Sequence, residues 1–176
     1  MKFVPAPLKG CYLIYLEPVE DHRGFFSRSF CQEEFRGQGL ETNFVQCNLT
    51  WNREMGTLRG MHYQSPPHGE VKVIRCTRGS IYDVMVDLRT DSSTYCEWFG
   101  VTLTASDTQL LYIPTGFAHG YQALEPNTEV FYMVSSSYSP DHERGVRWND
   151  RTFNIQWPLS NPILSEKDNG HPDFIP

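Results

Sequence analysis

The sequence predicts an all-β domain, a sandwich or barrel of short strands, and three features predict it. Val71 to Cys76 is rich in β-branched residues, Ser80 to Leu88 alternates apolar and polar residues over part of its length, and more short strands recur between turn-forming clusters. The recurring strands are Trp98 to Thr104, Gln109 to Ile113 and Thr128 to Ser135, set apart by Ser, Asp, Asn, Gly and Pro. Thr77-Arg78-Gly79 supplies a tight turn after the first strand. Only Gln32 to Gly39, with Glu33, Glu34, Phe35 and Arg36, offers a short helix, and the Pro-bearing tail from Trp157 onward should wrap the surface in loops or short helical turns.

Composition narrows the function. With 176 residues, 39% of them hydrophobic, residues 1–176 have room for a sizeable core and show no composition shift that would mark a second domain. The formal charge of −6 and the scattered basic residues argue against a nucleic-acid partner or a membrane-surface helix, though local positive charge can still hold a small anion. Nothing approaches the ~20 apolar residues of a membrane span, and the start Met1-Lys2-Phe3-Val4-Pro5 does not read as a signal peptide. The expectation is a cytoplasmic protein. Cys11, Cys31, Cys47, Cys76 and Cys96 are odd in number and widely spaced without a Cys-x-x-Cys pair, as reduced structural thiols would be. Without a secretory route, the acceptor pattern Asn48-Leu49-Thr50 carries little meaning.

The chemistry concentrates in Thr57-Leu58-Arg59-Gly60-Met61-His62-Tyr63-Gln64. In an extended run, His62 points away from Met61 and Tyr63 and shares a face with Gly60 and Gln64. A second histidine, His119, sits in Ile113-Pro114-Thr115-Gly116-Phe117-Ala118-His119-Gly120, which reads as a turn pinned by Pro and Gly. Two histidines with a downstream acid such as Glu70 raise a metal hypothesis. The spacing weakens it, because Gln64 stands where a His-x-His pair needs its second imidazole and a neutral amide is a poor substitute.

Gly56 to Gln64, Lys72 ten residues after His62, Asp83 to Arg89, Ile113 to Gly120, Trp148-Asn149-Asp150, Ile155-Gln156-Trp157-Pro158 and Leu164-Ser165-Glu166-Lys167-Asp168 together closely resemble the dTDP-4-dehydrorhamnose 3,5-epimerase family. At the front the likeness extends through Asp21-His22-Arg23-Gly24-Phe25-Phe26 and Phe44-Val45-Gln46-Cys47-Asn48, in order and across nearly the whole chain. The resemblance implies a cupin jelly roll without metal or other cofactor, a homodimer, and inversion of stereocentres beside the ketone of a nucleotide-linked 4-keto-6-deoxy sugar. By the same resemblance His62 takes the place of the catalytic base, Asp168 that of its paired carboxylate, Tyr132 that of the acid and Lys72 that of a lysine near the keto oxygen. Arg23 and Arg59 match residues around the nucleotide and diphosphate, and Tyr138 matches an aromatic stacked on the base. Gln46, Asn48, His119, Glu143 and Lys167 fall at further substrate-contact positions.

These residue types suit the reaction on chemical grounds. A ketone at carbon 4 acidifies the hydrogens at carbons 3 and 5, so one group must remove a proton and another return it from the opposite face. An imidazole, with a reference pKa of ~6.5, accepts a proton at neutral pH, and a phenol, near ~10, still donates one. A lysine cation stabilises the oxyanion that forms between the two events. On pattern alone the same residues read differently: Tyr132 as packed core, Lys72 as an exposed strand lysine, Arg23 and Arg59 as surface ion pairs, Asp168 as a capping acid.

Three departures bear on substrate. The motif Phe-Phe-x-Glu ends here in Arg28, itself at a substrate-contact position, and a donor-only cation cannot make the hydrogen bond of an acceptor-only carboxylate. The loop Ser65 to Val71 differs from the common version, and Met133 stands where a lysine is frequent. Rival readings are an isomerase or lyase using the same enolate, a metal-dependent cupin enzyme, and a non-catalytic sugar-nucleotide-binding cupin. The last has no need for an acid opposite a base.

Overall fold

The computed structural model describes residues 1–175. Along the chain run β1 (Lys2–Pro5), β2 (Tyr12–Tyr15), β3 (Val19–Asp21), β4 (Gly24–Phe26), α1 (Gln32–Gly37), β5 (Gln46–Asn52), β6 (Leu58–Gln64) and β7 (Lys72–Arg78). There follow β8 (Ser80–Asp87), β9 (Trp98–Thr104), β10 (Gln109–Ile113), β11 (Phe117–Ala123), β12 (Thr128–Val134), one 3-10 turn at Pro140–His142, β13 (Glu143–Gly145) and α2 (Glu166–Asn169). One sheet has the order β1-β2-β10-β7-β12-β5, the other β13-β6-β11-β8-β9, and β3-β4 form a separate hairpin. From β6 onward the chain passes repeatedly between the two antiparallel sheets, which is the jelly-roll winding.

Strand alternation divides the apolar residues into three clusters. Ile74, Cys76, Met85, Leu111 and Val130 meet between the sheets. Val73 and Leu110 point outward to Phe35 of α1, which also packs against Phe3, Phe30 and Phe44. Met61, Val84 and Val86 form the third cluster with Val146, Phe153 and Ile155 of the tail. The tail therefore covers a sheet face that would otherwise leave these side chains in water.

The predicted strands Trp98–Thr104 and Gln109–Ile113 are present at those limits. Several expectations are corrected. The segment read as a turn at Thr77-Arg78-Gly79 is largely strand, because β7 continues to Arg78 and reversal occurs at Gly79 before β8 joins the other sheet. His119 lies not in a turn but in β11, paired across to His62 and Met85; the Pro-Thr-Gly signal marks the turn before it. The helix α1 stops at Gly37. Also present are β1, β2, β5 and β13, which carry too few residues or too mixed a pattern to announce themselves.

Gly60 fixes how β6 and β11 meet. Its φ is +132°, and a Cβ there would stand 2.5 Å from Gly120 Cα and 2.9 Å from the His119 carbonyl oxygen. No other residue allows the two backbones to touch, and that contact sets His62 beside His119.

Asp87, fully buried at the end of β8, ties down the following loop. Arg89 Nε donates to Oδ1 at 2.8 Å and Arg89 Nη2 to Oδ2 at 2.7 Å, while Ser92 and Thr94 hydroxyls donate to Oδ2 at 2.6 and 2.7 Å. Burial opposes the charge, but the guanidinium and hydroxyls outweigh it and hold the carboxyl pKa down at about 2, against 3.8 for an ordinary aspartate. A lowered folded pKa stabilises the fold above the unfolded value and loses that contribution as pH falls through the folded one. The difference is worth about 2 kcal/mol. Denaturant titrations at neutral pH and near pH 2 should show the gap between wild type and Asp87→Asn narrowing by about that amount; a gap that stays constant refutes the linkage.

Candidate active site

The sheets part at one end of the sandwich to leave a cleft. One lobe, of about 290 Å³, is lined by Arg59, His62, Lys72, His119, Tyr132, Lys167 and Asp168 among others. The other, of about 260 Å³, shares His62, Lys72 and Tyr132 and adds Gln46, Asn48, Tyr138 and Glu143. Either lobe alone is small for a nucleotide-linked sugar, whereas the joined cleft falls in the ordinary range for a ligand of that size.

The shared residues come from opposing sheets. His62 projects from β6, turned away from Met61 and Tyr63, which pack on the outer cluster. Lys72 and Tyr132 project from the neighbouring strands β7 and β12, on the same face as Ile74 and Val130. Each therefore occupies an inward strand position where the core gives way to the cleft.

His62 Nε2 lies 2.7 Å from Asp168 Oδ1. Asp168 opens no strand or loop of its own; it sits in α2, where Ser165 caps the helix by accepting from the Asp168 N–H at 3.1 Å. The Gly60 N–H donates to the other carboxylate oxygen at 3.3 Å. Burial pushes the Asp168 pKa up, but the His62 hydrogen bond, the neighbouring imidazole charge and the Gly60 amide outweigh it and leave the carboxyl below the usual range. An ionised carboxylate only accepts, so Nε2 of His62 carries the hydrogen and Nδ1 keeps the free lone pair. That nitrogen can take a proton, and Asp168 can stabilise the imidazolium formed.

Lys72 is buried, with Nζ 3.1 Å from Glu70 Oε1 and 3.5 Å from the His62 carbonyl oxygen. The solvent-facing position that pattern alone suggests is thus wrong, because a carboxylate on the preceding loop makes burial of the ammonium tolerable. Burial raises the Tyr132 pKa, so its phenol stays protonated at neutral pH. His119 Nε2 bonds to Asp83 Oδ1 at 2.9 Å, a second imidazole–carboxylate pair, of which the imidazole lines the first lobe and the carboxylate is buried behind it. Arg59 donates from Nε to Asn52 at 2.8 Å and stays exposed at the rim.

In the second lobe the Tyr138 hydroxyl donates to Glu143 Oε2 at 2.7 Å, and Lys167 Nζ meets the same oxygen at 2.6 Å. Burial works against the Glu143 charge, but Lys167 and Tyr138 hold its pKa down, while Glu143 raises that of Lys167. Gln46 donates to Asn48 at 2.8 Å. Eleven of the thirteen residues picked from the sequence therefore line one cleft.

Arg23 and Arg28 are the exceptions. Arg23 is exposed in the β3–β4 turn and pairs with Asp21 at 2.6 Å; Arg28 pairs with Glu34 at 2.9 Å, in a separate depression with Met1, Glu17 and Val19. The structure does not bring either to the cleft of its own chain. Asp83 and His171 were missed as individual residues. Asp83 was visible only as a polar residue at an inward position of β8, and His171 as a histidine three residues beyond Asp168.

Fold and site together define an isomerase on a cupin jelly roll. The sequence profile described as dTDP-4-dehydrorhamnose 3,5-epimerase matches residues 5–175. The chain belongs to this family. A curated relative, dTDP-4-dehydrorhamnose 3,5-epimerase of Shigella flexneri, is 43% identical over 156 residues, which cover 88% of this chain and 86% of the relative. The crystal structure of the Bacillus anthracis dTDP-4-dehydrorhamnose 3,5-epimerase with TDP and pyrophosphate bound is 41% identical with a TM-score of 0.96, covering 98% of this chain and 99% of that one. The Legionella pneumophila enzyme, dTDP-6-deoxy-D-glucose-3,5-epimerase in complex with dTDP-4-keto-L-rhamnose, is 32% identical with a TM-score of 0.91 over 97% of this chain and 90% of the other.

Proposed function

We propose that this protein epimerises carbon 3, carbon 5 or both of a dTDP-linked 4-keto-6-deoxy sugar, in the synthesis of a rhamnose-like deoxysugar. The observation that carries the reading is His62 of β6, paired with Asp168 of α2, facing Lys72 and Tyr132 of the other sheet. His62 Nδ1 removes the proton beside the ketone, and Asp168 stabilises the resulting imidazolium. The Lys72 ammonium offsets the negative charge that collects on the keto oxygen. Tyr132 returns a proton to the carbon from the opposite face, which inverts it. This sequence of steps needs neither a redox cofactor nor a metal. The lobe holding Tyr138, Gln46 and Asn48 receives the nucleotide, with Tyr138 stacking on the base, and Arg59 and Lys167 supply positive charge for the diphosphate. His119 and Glu143 complete the contacts.

A homodimer follows from the same reading. Arg23 and Arg28 match substrate-contact positions yet stand away from their own cleft, so they can reach substrate only in a second copy. The hairpin that carries Arg23 and leads into Arg28 exposes Val19, Phe25 and Phe26, and the edge strand β5 exposes Leu49 and Trp51. Burying these on another copy would carry the hairpin to the partner's cleft, and light scattering at twice the chain mass of 20.4 kDa is the expected result. No helix among the described residues is long and apolar enough to cross a membrane. Action in the cytoplasm fits five cysteines that all remain free thiols.

The test is deuterium incorporation from heavy water into a dTDP-linked 4-keto-6-deoxy sugar, followed by NMR. Exchange at carbon 3, carbon 5 or both gives the reaction and its regiochemistry together. Absence of exchange with dTDP-, UDP- and GDP-linked sugars alike would leave the non-catalytic binding reading in its place.

A further inference from the structure

His171 has no part in the reaction derived above, yet it is held against the catalytic pair. Its ring stands edge-on to His62 with centroids 5.6 Å apart, and its Nε2 lies 3.8 Å from Asp168 Oδ1. That nitrogen is fully buried and has no hydrogen-bond partner. Three donor atoms, one each from His62, Asp168 and His171, lie within 4.8 Å of one another. A buried imidazole nitrogen with nothing to bond is uncommon in a well-packed protein, and a bound cation would satisfy it.

We propose that His62, Asp168 and His171 form a zinc site whose occupation switches the enzyme off. Two imidazoles and a carboxylate suit zinc and exclude magnesium and calcium, which prefer all-oxygen shells. Zinc holds such ligands at about 2.0–2.2 Å, so donor atoms around a tetrahedral ion stand roughly 3.3 Å apart. The 2.7 and 3.8 Å separations bracket that value and all three donors lie within 4.8 Å, so rotation of the two rings is what closing the site requires. His62 and Asp168 line the cleft and His62 is accessible to water, which gives an ion its way in.

The donors are also supported from behind. Asp168 is fixed by Ser165 and by the Gly60 amide on its other oxygen. The His171 ring lies on the bare backbone of β13: a Cβ at Gly145 would stand 2.3 Å from its Cε1 and Nε2. Its carbonyl accepts from Arg147 Nε at 3.3 Å. The Gly60 bond to the Asp168 carboxylate is an outer contact of the kind that orients a ligand and raises metal affinity, while the Gly145 and Arg147 contacts locate the His171 ring and backbone.

The inhibitory effect rests on the epimerase reading; the site itself does not. Zinc takes the lone pair of His62 Nε2, so the hydrogen that Nε2 held for Asp168 moves to Nδ1 and the ring stays neutral. Nδ1 then carries N–H and has no lone pair for the substrate proton. The base is lost by a shift of tautomer, with no net release of a proton from His62.

The full-length protein, stripped with a chelator, is titrated with Co²⁺ and its visible d–d absorption followed. One equivalent should give the bands of a low-symmetry site, and Zn²⁺ should displace them. His171→Ala should weaken the site at least ~10-fold, judged against the loss that even outer-contact mutations cause. In the turnover assay Zn²⁺ should inhibit wild type, with a chelator restoring activity, while metal-free His171→Ala turns over normally and resists zinc by the same factor. Absence of cobalt bands in wild type overturns the proposal without reference to any variant, and equal affinity in folded His171→Ala does so too. Cobalt bands in a protein that exchanges no sugar proton would uphold the site and sink the epimerase reading instead.

Discussion

Replacing His62 by alanine lowers kcat/KM by roughly 10²–10⁴-fold, the usual contribution of a positioned general base, and abolishes deuterium exchange into the substrate. The nucleotide's affinity should change little, because the base-stacking position Tyr138 and the rim cations Arg59 and Lys167 do not depend on the imidazole for their hydrogen bonds or ion pairs. The fold should survive, since His62 is part-exposed while its neighbours Gly60 and Met61 carry the packing of β6. Asp168 then loses its main partner, so its carboxyl, held below the usual range largely by that hydrogen bond, moves upward. Exchange by NMR and binding by calorimetry separate the two effects. A variant that still exchanges at the wild-type rate would remove His62 from the base position.

Replacing Tyr132 by phenylalanine keeps the ring and deletes the proton donor, which makes it the sharper of the two experiments. The ring packs against the inner cluster with Ile74 as its cross-strand partner, so stability should hold. Turnover should fall roughly 10²-fold or more. Proton removal needs only His62, whereas inversion needs a donor on the other face, so the variant should exchange deuterium with retention more readily than it inverts. Because burial raises the phenol's pKa, wild-type activity should not fall near neutral pH through ionisation of Tyr132. An unchanged rate and product in Tyr132→Phe would assign the second proton transfer elsewhere, and His119 with its Asp83 partner is the group next placed to supply it.

How far the sequence could be read depended on how long each signal ran. β9 and β10 are legible because turn residues bound them on both sides and apolar residues dominate between. β11 was hidden because Gly and His sit in its middle, and both are common in turns; its seven residues are all buried by packing between β6 and β8. Lys72 misled for a similar reason. A lysine in a strand is usually at the surface, and here the Glu70 carboxylate 3.1 Å away makes its buried position tolerable. The resemblance located eleven residues of the cleft, but it could not place Arg23 and Arg28, which a single chain leaves on other surfaces.

By itself the sequence determined the all-β class, most of the central strands and the identity of the reactive side chains, because strand alternation, turn chemistry and acid–base character are local properties of residues. The resemblance had already paired His62 with Asp168, and the structure supplies the contact across 106 positions; only the tertiary structure decided that Lys72 is buried beside Glu70 and that His171 turns an unpaired nitrogen toward the same carboxylate. Those facts depend on the close approach of β6 and β11 at Gly60 and on the tail folding back over the outer sheet face. Contacts of that range are set by which apolar faces must be covered together, a property of the whole chain that no short stretch contains.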